Sequence, residues 1–201
     1  MSHRGHLLRL PPNRVWRTYP GGRTLDQLEG AGSPADTHFA EDWIASTTRA
    51  INPGREHLAE GVSLVRVGGD DTPRDFAQLL ASDPEYFLGA GHVRKFGATP
   101  HLLVKFLDSG TRLHFQVHPT REFARERLGA PSGKTEAYHV LAVRSAGAAD
   151  SAGYIYVGFQ RPPSRDALRR MIATQDVAAI EACFDKIPVK PGDTFIIPGG
   201  T

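Results

Sequence analysis

Hydrophobic and polar positions alternate most regularly over residues 113–118, where the sequence reads Leu-His-Phe-Gln-Val-His. Successive side chains of a β-strand point to opposite faces, so the pattern predicts a strand with His114, Gln116 and His118 on one face. Two imidazoles and an amide are poor material for a hydrophobic core. An apolar run over residues 101–107, followed by an Asp-Ser-Gly turn, predicts that the two strands form a β-hairpin.

Other short strand-like segments are separated by turns rich in Gly and Pro. They lie at residues 38–48, 136–143 and 154–160, and two more fall within residues 187–201. No internal repeat is visible in the sequence. Many short strands joined by such turns favour a sandwich or barrel over a parallel sheet.

Helices are predicted where a Ser or Thr precedes an apolar face. The four predicted caps are Thr72, Thr120, Ser164 and Thr174, and Gly129 is expected to end the second helix. The first twenty residues are rich in Arg, Pro and His, which is typical of a loosely held arm. We therefore expect an N-terminal arm and turn region over residues 1–37 and one domain over residues 38–201.

Composition excludes several classes of protein. The chain has 201 residues, 40% of them hydrophobic, which is enough for a substantial core. A formal charge of +2 does not suggest a nucleic-acid partner, and the single cysteine, Cys183, excludes an intrachain disulfide. No apolar stretch approaches the ~20 residues that span a bilayer, and no signal-peptide pattern opens the chain. We expect a soluble, cytoplasmic protein without a membrane partner.

A second polar group follows the alternating segment at Lys134 and Glu136. Their two-residue spacing places both on one face if this segment is extended. With His118 and Gln116 they supply the nitrogen and oxygen atoms that bind a divalent metal, and a cation beside it. The residues alone therefore predict a metal site.

Three motifs also follow one another in the order found in a known enzyme family. They are Gln116-Val117-His118-Pro119, then Gly133-Lys134-Thr135-Glu136, then Pro191-Gly192-Asp193 with Pro198-Gly199-Gly200-Thr201. In this order they resemble the motifs of type I mannose-6-phosphate isomerases, and stretches at 41–43, 60–64 and 103–108 support the resemblance. It covers residues 38–201 and implies a mostly β chain, a cupin (jelly-roll) barrel with peripheral helices.

The resemblance also implies a site. One zinc ion per chain would be held by Gln116, His118 and Glu136, and Lys134 would be the active-site lysine that transfers protons. In the family a fourth ligand, a histidine, and a substrate arginine follow directly after the last motif. Those positions lie beyond Thr201, so we expect the domain to be incomplete at its C-terminal end and the chain to be part of a longer isomerase of the compact bacterial form.

The implied reaction is the interconversion of mannose 6-phosphate and fructose 6-phosphate, with the sugar phosphate as partner. Such a conversion moves a proton between adjacent carbons through an enediolate, and a divalent metal stabilises the negative charge, typically by several kcal/mol. Lys134 could move protons or hold charge beside the metal. The alternative function is a non-catalytic cupin that binds metal or sugar phosphate.

Each ligand candidate also has a structural interpretation. His118 and Glu136 could be a buried histidine and a carboxylate that are satisfied by hydrogen bonds. Gln116 could bond to a ligand rather than to the metal, because amides are uncommon zinc ligands. Lys134 could be a solvated turn residue, and His139, on the opposite face from Glu136, is expected to pack.

Two further residues are candidates for binding the substrate. Lys105 lies in the apolar strand over 101–107, where it either pairs with a carboxylate or faces the site. His114 stands where the family usually has a small hydroxyl residue, and it could replace a ligand or line the pocket without binding metal.

Overall fold

A computed structural model describes residues 3–144 and 153–201. The chain divides into two compact units, Met1–His114 and Phe115–Thr201. The predicted boundary at residues 37 and 38 does not coincide with this division.

The first unit contains two small antiparallel sheets of three strands each. One has the order β1-β4-β5, and the other has the order β2-β3-β6. The strands are β1 (Leu8–Arg9), β2 (Arg14–Val15), β3 (Glu41–Ile44), β4 (Leu64–Val67), β5 (Asp70–Asp75) and β6 (Val104–Leu107). Segments 8–9 and 14–15, which were expected in a loose arm, thus belong to these sheets as edge strands.

Four short helices complete the first unit in the described residues. They are α1 (Arg23–Leu28), α2 (Phe76–Ser82), α3 (Pro84–Leu88) and α4 (Ala90–Phe96). The prediction that Thr72 caps a helix is wrong, because Thr72 lies in β5. The cap is Asp75, whose carboxylate accepts a hydrogen bond from the backbone N–H of Gln78 at 2.9 Å. A carboxylate is as good a cap as a hydroxyl, and the strand pairing of residues 70–75 with β4 places the helix start after it.

The core of the first unit is split between its two sheets. Val15, Trp43 and Ala50 form one buried cluster, against which Leu103 packs. A second cluster consists of Val65, Val67 and Leu79, with Leu8, Phe76 and Phe87 packed against it. Each sheet therefore has its own apolar layer.

A buried carboxylate lies within the β2-β3-β6 sheet. Glu41 is 1% exposed. Its Oε2 accepts a hydrogen bond from the Trp43 indole N–H at 2.6 Å and lies 3.2 Å from the Lys105 ammonium. Its Oε1 accepts a hydrogen bond from the Tyr19 hydroxyl and lies 3.4 Å from Nε of Arg17. Burial alone would raise the pKa of Glu41, but the charge of Lys105 and the hydrogen bonds from Tyr19 and Trp43 outweigh burial and lower it.

The second unit contains two antiparallel strand pairs. β7 (Glu136–His139) pairs with β10 (Thr194–Ile197), and β8 (Tyr154–Ile155) pairs with β9 (Ile187–Pro188). Three helices accompany them in the described residues, namely α5 (Arg121–Leu128), α6 (Arg165–Ala173) and α7 (Val177–Glu181). The predicted strands in these regions exist, but they are shorter than predicted.

Two of the predicted helix starts in this unit are confirmed. Thr120 accepts a hydrogen bond from the backbone N–H of Phe123, and Ser164 accepts one from that of Ala167. Gly129 ends α5 in the left-handed conformation. The prediction for Thr174 is wrong, because this residue ends α6, and α7 is capped by Asp176 instead.

The strand predicted over residues 113–118 does not form, and neither does the predicted hairpin. These residues have no regular strand pairing, and β6 pairs with β3 instead. The ring of Phe115 stacks on Phe184 at 5.1 Å between centroids. The backbone of His118 bonds to residues 200 and 201. The alternating pattern therefore reflects the local packing of these side chains rather than pairing with a neighbouring strand.

The fold class is confirmed only in part. Helices hold 25% and strands 19% of the described residues, in small sheets and without a closed barrel among them. Cys183, the single cysteine, is buried. No described helix is both long and apolar enough to cross a bilayer.

Removing a confirmed cap tests the local assignment. We expect Ser164→Ala to lower the free energy of unfolding by about 1 kcal/mol, because one backbone N–H of α6 loses its acceptor. Ser164→Asn, which keeps an acceptor, should stay within a few tenths of a kcal/mol of the parent. Urea denaturation followed by circular dichroism measures both. Equal losses in the two variants would contradict the capping role.

Replacing the buried carboxylate tests the Glu41 cluster. We expect Glu41→Gln to lower the free energy of unfolding by about 3 kcal/mol at pH 7, because Lys105 and Arg17 lose their buried anion. The pKa of Glu41 is lowered in the folded state, so its stabilising effect is present above the ordinary carboxyl value of 4.5. That effect disappears as the pH falls through the folded-state pKa.

The difference in the free energy of unfolding between the parent and Glu41→Gln should therefore become smaller in acid. Urea denaturation at several pH values between 3 and 7 measures the difference between the parent and Glu41→Gln. Glu85→Gln is the matched control, since Glu85 lies exposed at the start of α3, and it should shift stability by no more than about 0.5 kcal/mol. A pH-independent gap between the parent and Glu41→Gln would contradict the assignment.

Candidate functional site

His118 lies in a turn that leads into α5. Its backbone N–H donates to the carbonyl of Thr201 at 3.1 Å, and its own carbonyl accepts from the N–H of Gly200 at 2.6 Å. Pro119 and the capping residue Thr120 follow directly. The side chain is buried, and the residue is 6% exposed. Backbone bonds on one side and a helix start on the other hold the imidazole in place.

Glu136 faces His118 from the first position of β7. Its register opposite Ile197 of β10 determines which way its side chain points. The carboxylate Oε2 is 2.8 Å from Nε2 of His118 and 3.3 Å from Nζ of Lys134. The Glu136 side chain is 15% exposed, whereas that of Lys134 is 49% exposed. A buried imidazole, a largely buried carboxylate and a half-exposed ammonium therefore meet at one point.

Two atoms of this group lack a hydrogen-bond partner. They are Nδ1 of His118 and Oε2 of Glu136. Neither atom has a hydrogen-bond partner within residues 3–144 and 153–201, although Oε2 lies close to Nε2 of His118. An unsatisfied buried polar atom costs about 1–3 kcal/mol, so such an atom in a native protein calls for a partner such as an ordered water or an ion. Zinc ligand atoms lie about 2 Å from the ion, so two of them are neighbours at about 3 Å. The close approach of Nε2 and Oε2 outside hydrogen-bond geometry fits a shared cation.

The electrostatics of the site favour a neutral imidazole. Burial lowers the pKa of His118, the positive charge of Lys134 lowers it further, and Glu136 opposes the change. At pH 7 the ring is neutral, which is the form that binds a metal through its nitrogen lone pair.

Gln116 is not joined to this pair. Its side chain is exposed, and no hydrogen bond links its amide to His118 or Glu136 among the described residues. Nor does the described part of the chain contain three His, Cys, Asp or Glu side chains that could hold a metal together. Of the predicted ligands, the structure thus brings two into contact.

The two predicted substrate-binding residues belong to the first unit. Lys105 lies in β6 and pairs with Glu41, the carboxylate partner that the sequence left open. His114 is exposed and is the last residue of that unit. His139, expected to pack, accepts or donates a hydrogen bond with the Thr194 hydroxyl at 2.8 Å.

Glu41 is the chemically distinctive residue that sequence reasoning missed. Its only signal was its position two residues before Trp43 on a short strand, with a lysine in another apolar strand. Neither fact shows that Lys105 and Glu41 become cross-strand neighbours, because that depends on the register of β3 against β6.

Comparison of the sequence with known proteins gives consistent relatives. The chain is 34% identical over 189 residues to mannose-6-phosphate isomerase of Streptococcus mutans, which covers 94% of this chain and 49% of the relative. It is 31% identical over 199 residues to the probable mannose-6-phosphate isomerase GmuF of Bacillus subtilis, covering 98% and 53%. No protein-family model matches.

Two solved structures share the fold of this chain. A protein from Archaeoglobus fulgidus, provisionally described as a mannosephosphate isomerase, matches 97% of this chain and 56% of its own, with a TM-score of 0.72 and 23% identity. The mannose 6-phosphate isomerase of Bacillus subtilis matches 96% and 52%, with a TM-score of 0.64 and 24% identity. These likenesses show the fold.

The chain spans about half the length of the curated relatives it matches. The two relatives match 94% and 98% of this chain. The chain is therefore similar in sequence to about half of each of these proteins named mannose-6-phosphate isomerase, and it has the fold of the matching part of the solved structures.

Proposed function

We propose that this protein is a metal-dependent isomerase that interconverts mannose 6-phosphate and fructose 6-phosphate. The observation that carries the proposal is the contact between His118 and Glu136 beside Lys134, in a homologue of proteins named for this reaction. A buried imidazole and a carboxylate with unsatisfied atoms supply two of the three ligands that a catalytic zinc site takes from the protein.

The proposed metal is one zinc ion, held by His118 and Glu136. Gln116 is proposed as a further ligand on its sequence position alone, two residues before His118. Zinc, when bound, supplies a Lewis acid that stabilises negative charge on the substrate oxygens. The finer fold assignment, a cupin barrel, belongs to this proposal and rests on the order of the motifs, because the described strands form four small separate sheets.

Lys134 is the proposed proton-transferring residue. In the forward reaction a proton leaves C2 of the aldose and one is delivered to C1, while the carbonyl moves from C1 to C2 through an enediolate. The Lys134 ammonium is half exposed, so it can reach both the pair and a bound molecule. Its charge also lowers the free energy of the enediolate, because the anion forms beside a cation.

The substrate-binding roles of Lys105 and His114 rest on less. Lys105 already pairs with Glu41, so a phosphate or hydroxyl group would share its ammonium with that carboxylate. His114 is exposed and can contact a ligand without any change in the core.

A non-catalytic metal-binding protein is the second candidate. It is favoured by one observation, the absence of a third His, Cys, Asp or Glu beside the pair in the described chain. Such a protein would bind zinc and show no turnover of the sugar phosphate.

Catalysis and metal binding can be tested together. We expect the parent with added zinc to convert mannose 6-phosphate to fructose 6-phosphate in a coupled assay, and His118→Ala and Glu136→Gln to lose activity and zinc affinity, because each removes a ligand. Glu126→Gln, an exposed carboxylate on α5, is the control and should behave as the parent. Zinc binding without turnover in the parent would favour the second candidate, and neither binding nor turnover would contradict both.

Lys134→Met separates proton transfer from metal binding. We expect it to lower kcat by about 10²–10⁴-fold, the usual effect of a general acid or base, and to leave zinc affinity within a few-fold of the parent. Lys190→Met, at an exposed turn before β10, is the matched control. An unchanged kcat in Lys134→Met would remove this residue from the mechanism.

A further inference from the structure

The turn that carries His118 is enclosed by two loops that contain glycine. On one side the backbone N–H of Lys134 donates to the Pro119 carbonyl at 3.0 Å. On the other side Gly200 and Thr201 bond to the backbone of His118. The two loops are therefore tied to neighbouring peptide groups of one turn, one loop to the Pro119 carbonyl and the other to the N–H and carbonyl of His118.

The approach is closer than any side chain permits. A Cβ at Gly133 would lie 2.6 Å from the Pro119 carbonyl oxygen and 2.7 Å from the backbone N of Arg121. A Cβ at Gly199 would lie 2.7 Å from the same carbonyl oxygen and 3.2 Å from Cα of Thr120. The obstructing atoms are backbone atoms, which cannot rotate away as the end of a flexible side chain can.

These positions are glycine because of space and not because of backbone conformation. Neither Gly133 nor Gly199 has a positive φ angle. Any larger residue would have to push the Pro119 turn and a loop apart. Gly133 immediately precedes Lys134 and Gly199 closely follows β10, the strand that positions Glu136. Displacing these loops would therefore move Glu136 and Lys134, the two residues that meet His118 in the candidate site.

We propose that Gly133 and Gly199 are positioning residues, which set the separation between the His118 imidazole and the side chains of Glu136 and Lys134. The inference rests on the proposed function, since it assigns these glycines to the metal pair. The pair is sensitive to such a shift, because two ligand atoms must both reach one ion, and supporting contacts typically change metal affinity by about 10–100-fold.

The test compares zinc affinity in glycine variants of the full chain. Gly133→Ala and Gly199→Ala are titrated with zinc against a chromophoric chelator, and unfolding by urea is measured without metal. We expect zinc to bind about 10–100-fold more weakly in both variants. The matched control is Gly158→Ala, a glycine of the same unit with φ +63° and open space around it. It introduces backbone strain away from the turn and should keep zinc affinity within about twofold of the parent.

A metal-free readout keeps this test separate from the proposed function. The imidazole NMR signals of His118, assigned by their loss in His118→Ala, should move in Gly133→Ala and Gly199→Ala and stay in place in Gly158→Ala. If the parent binds no zinc, the proposed function fails, and the NMR signals still decide the positioning role.

Three results would overturn the inference. The first is parent-like zinc affinity in both turn variants, and the second is an unmoved His118 signal in both. The third is complete unfolding of both variants while Gly158→Ala folds, because the two glycines would then be required for the fold of the unit rather than for the spacing of the pair.

Discussion

The carbonyl of Pro119 is the constraint on which the candidate site depends. It accepts the N–H of Lys134, and two glycine positions approach it closely enough to exclude a methyl group. Next to it, His118 is bonded on both its N–H and its carbonyl, and Thr120 starts a helix. A peptide group that is fixed from several directions transmits its position to the imidazole. The geometry of His118 against Glu136 is therefore a property of backbone packing.

Two carboxylates of low exposure, Glu41 and Glu136, illustrate different uses of one chemical group. Glu41 receives hydrogen bonds from Tyr19 and Trp43 and lies beside two cations, so its charge is fully compensated. Glu136 is less buried, and its Oε2 has no hydrogen bond, although it lies 2.8 Å from a neutral imidazole and 3.3 Å from the Lys134 ammonium. A compensated carboxylate stabilises a sheet, whereas an incompletely satisfied one retains the capacity to bind a cation. This contrast supports a functional role for the second.

Sequence reasoning succeeded where the physics is local. The caps at Thr120 and Ser164 and the end of α5 at Gly129 depend on bonds that reach three or four residues along the chain. It failed over residues 113–118, because alternation specifies faces only when a partner strand is available. Here Phe115 stacks on Phe184, and the backbone of His118 bonds to Gly200 and Thr201. The alternation of residues 113–118 therefore does not come from strand pairing.

By itself, the sequence determined the helix starts at Thr120 and Ser164, the order of the motifs and the residue types of a candidate metal site. Only the tertiary structure decided that His118 and Glu136 meet within 2.8 Å, that Gln116 stays exposed, and that Lys105 pairs with Glu41. The physical reason is that these relations join residues from 18 to 64 positions apart, or depend on how a loop packs, and strand register and backbone clearance determine them. Local propensity carries no information about such distances.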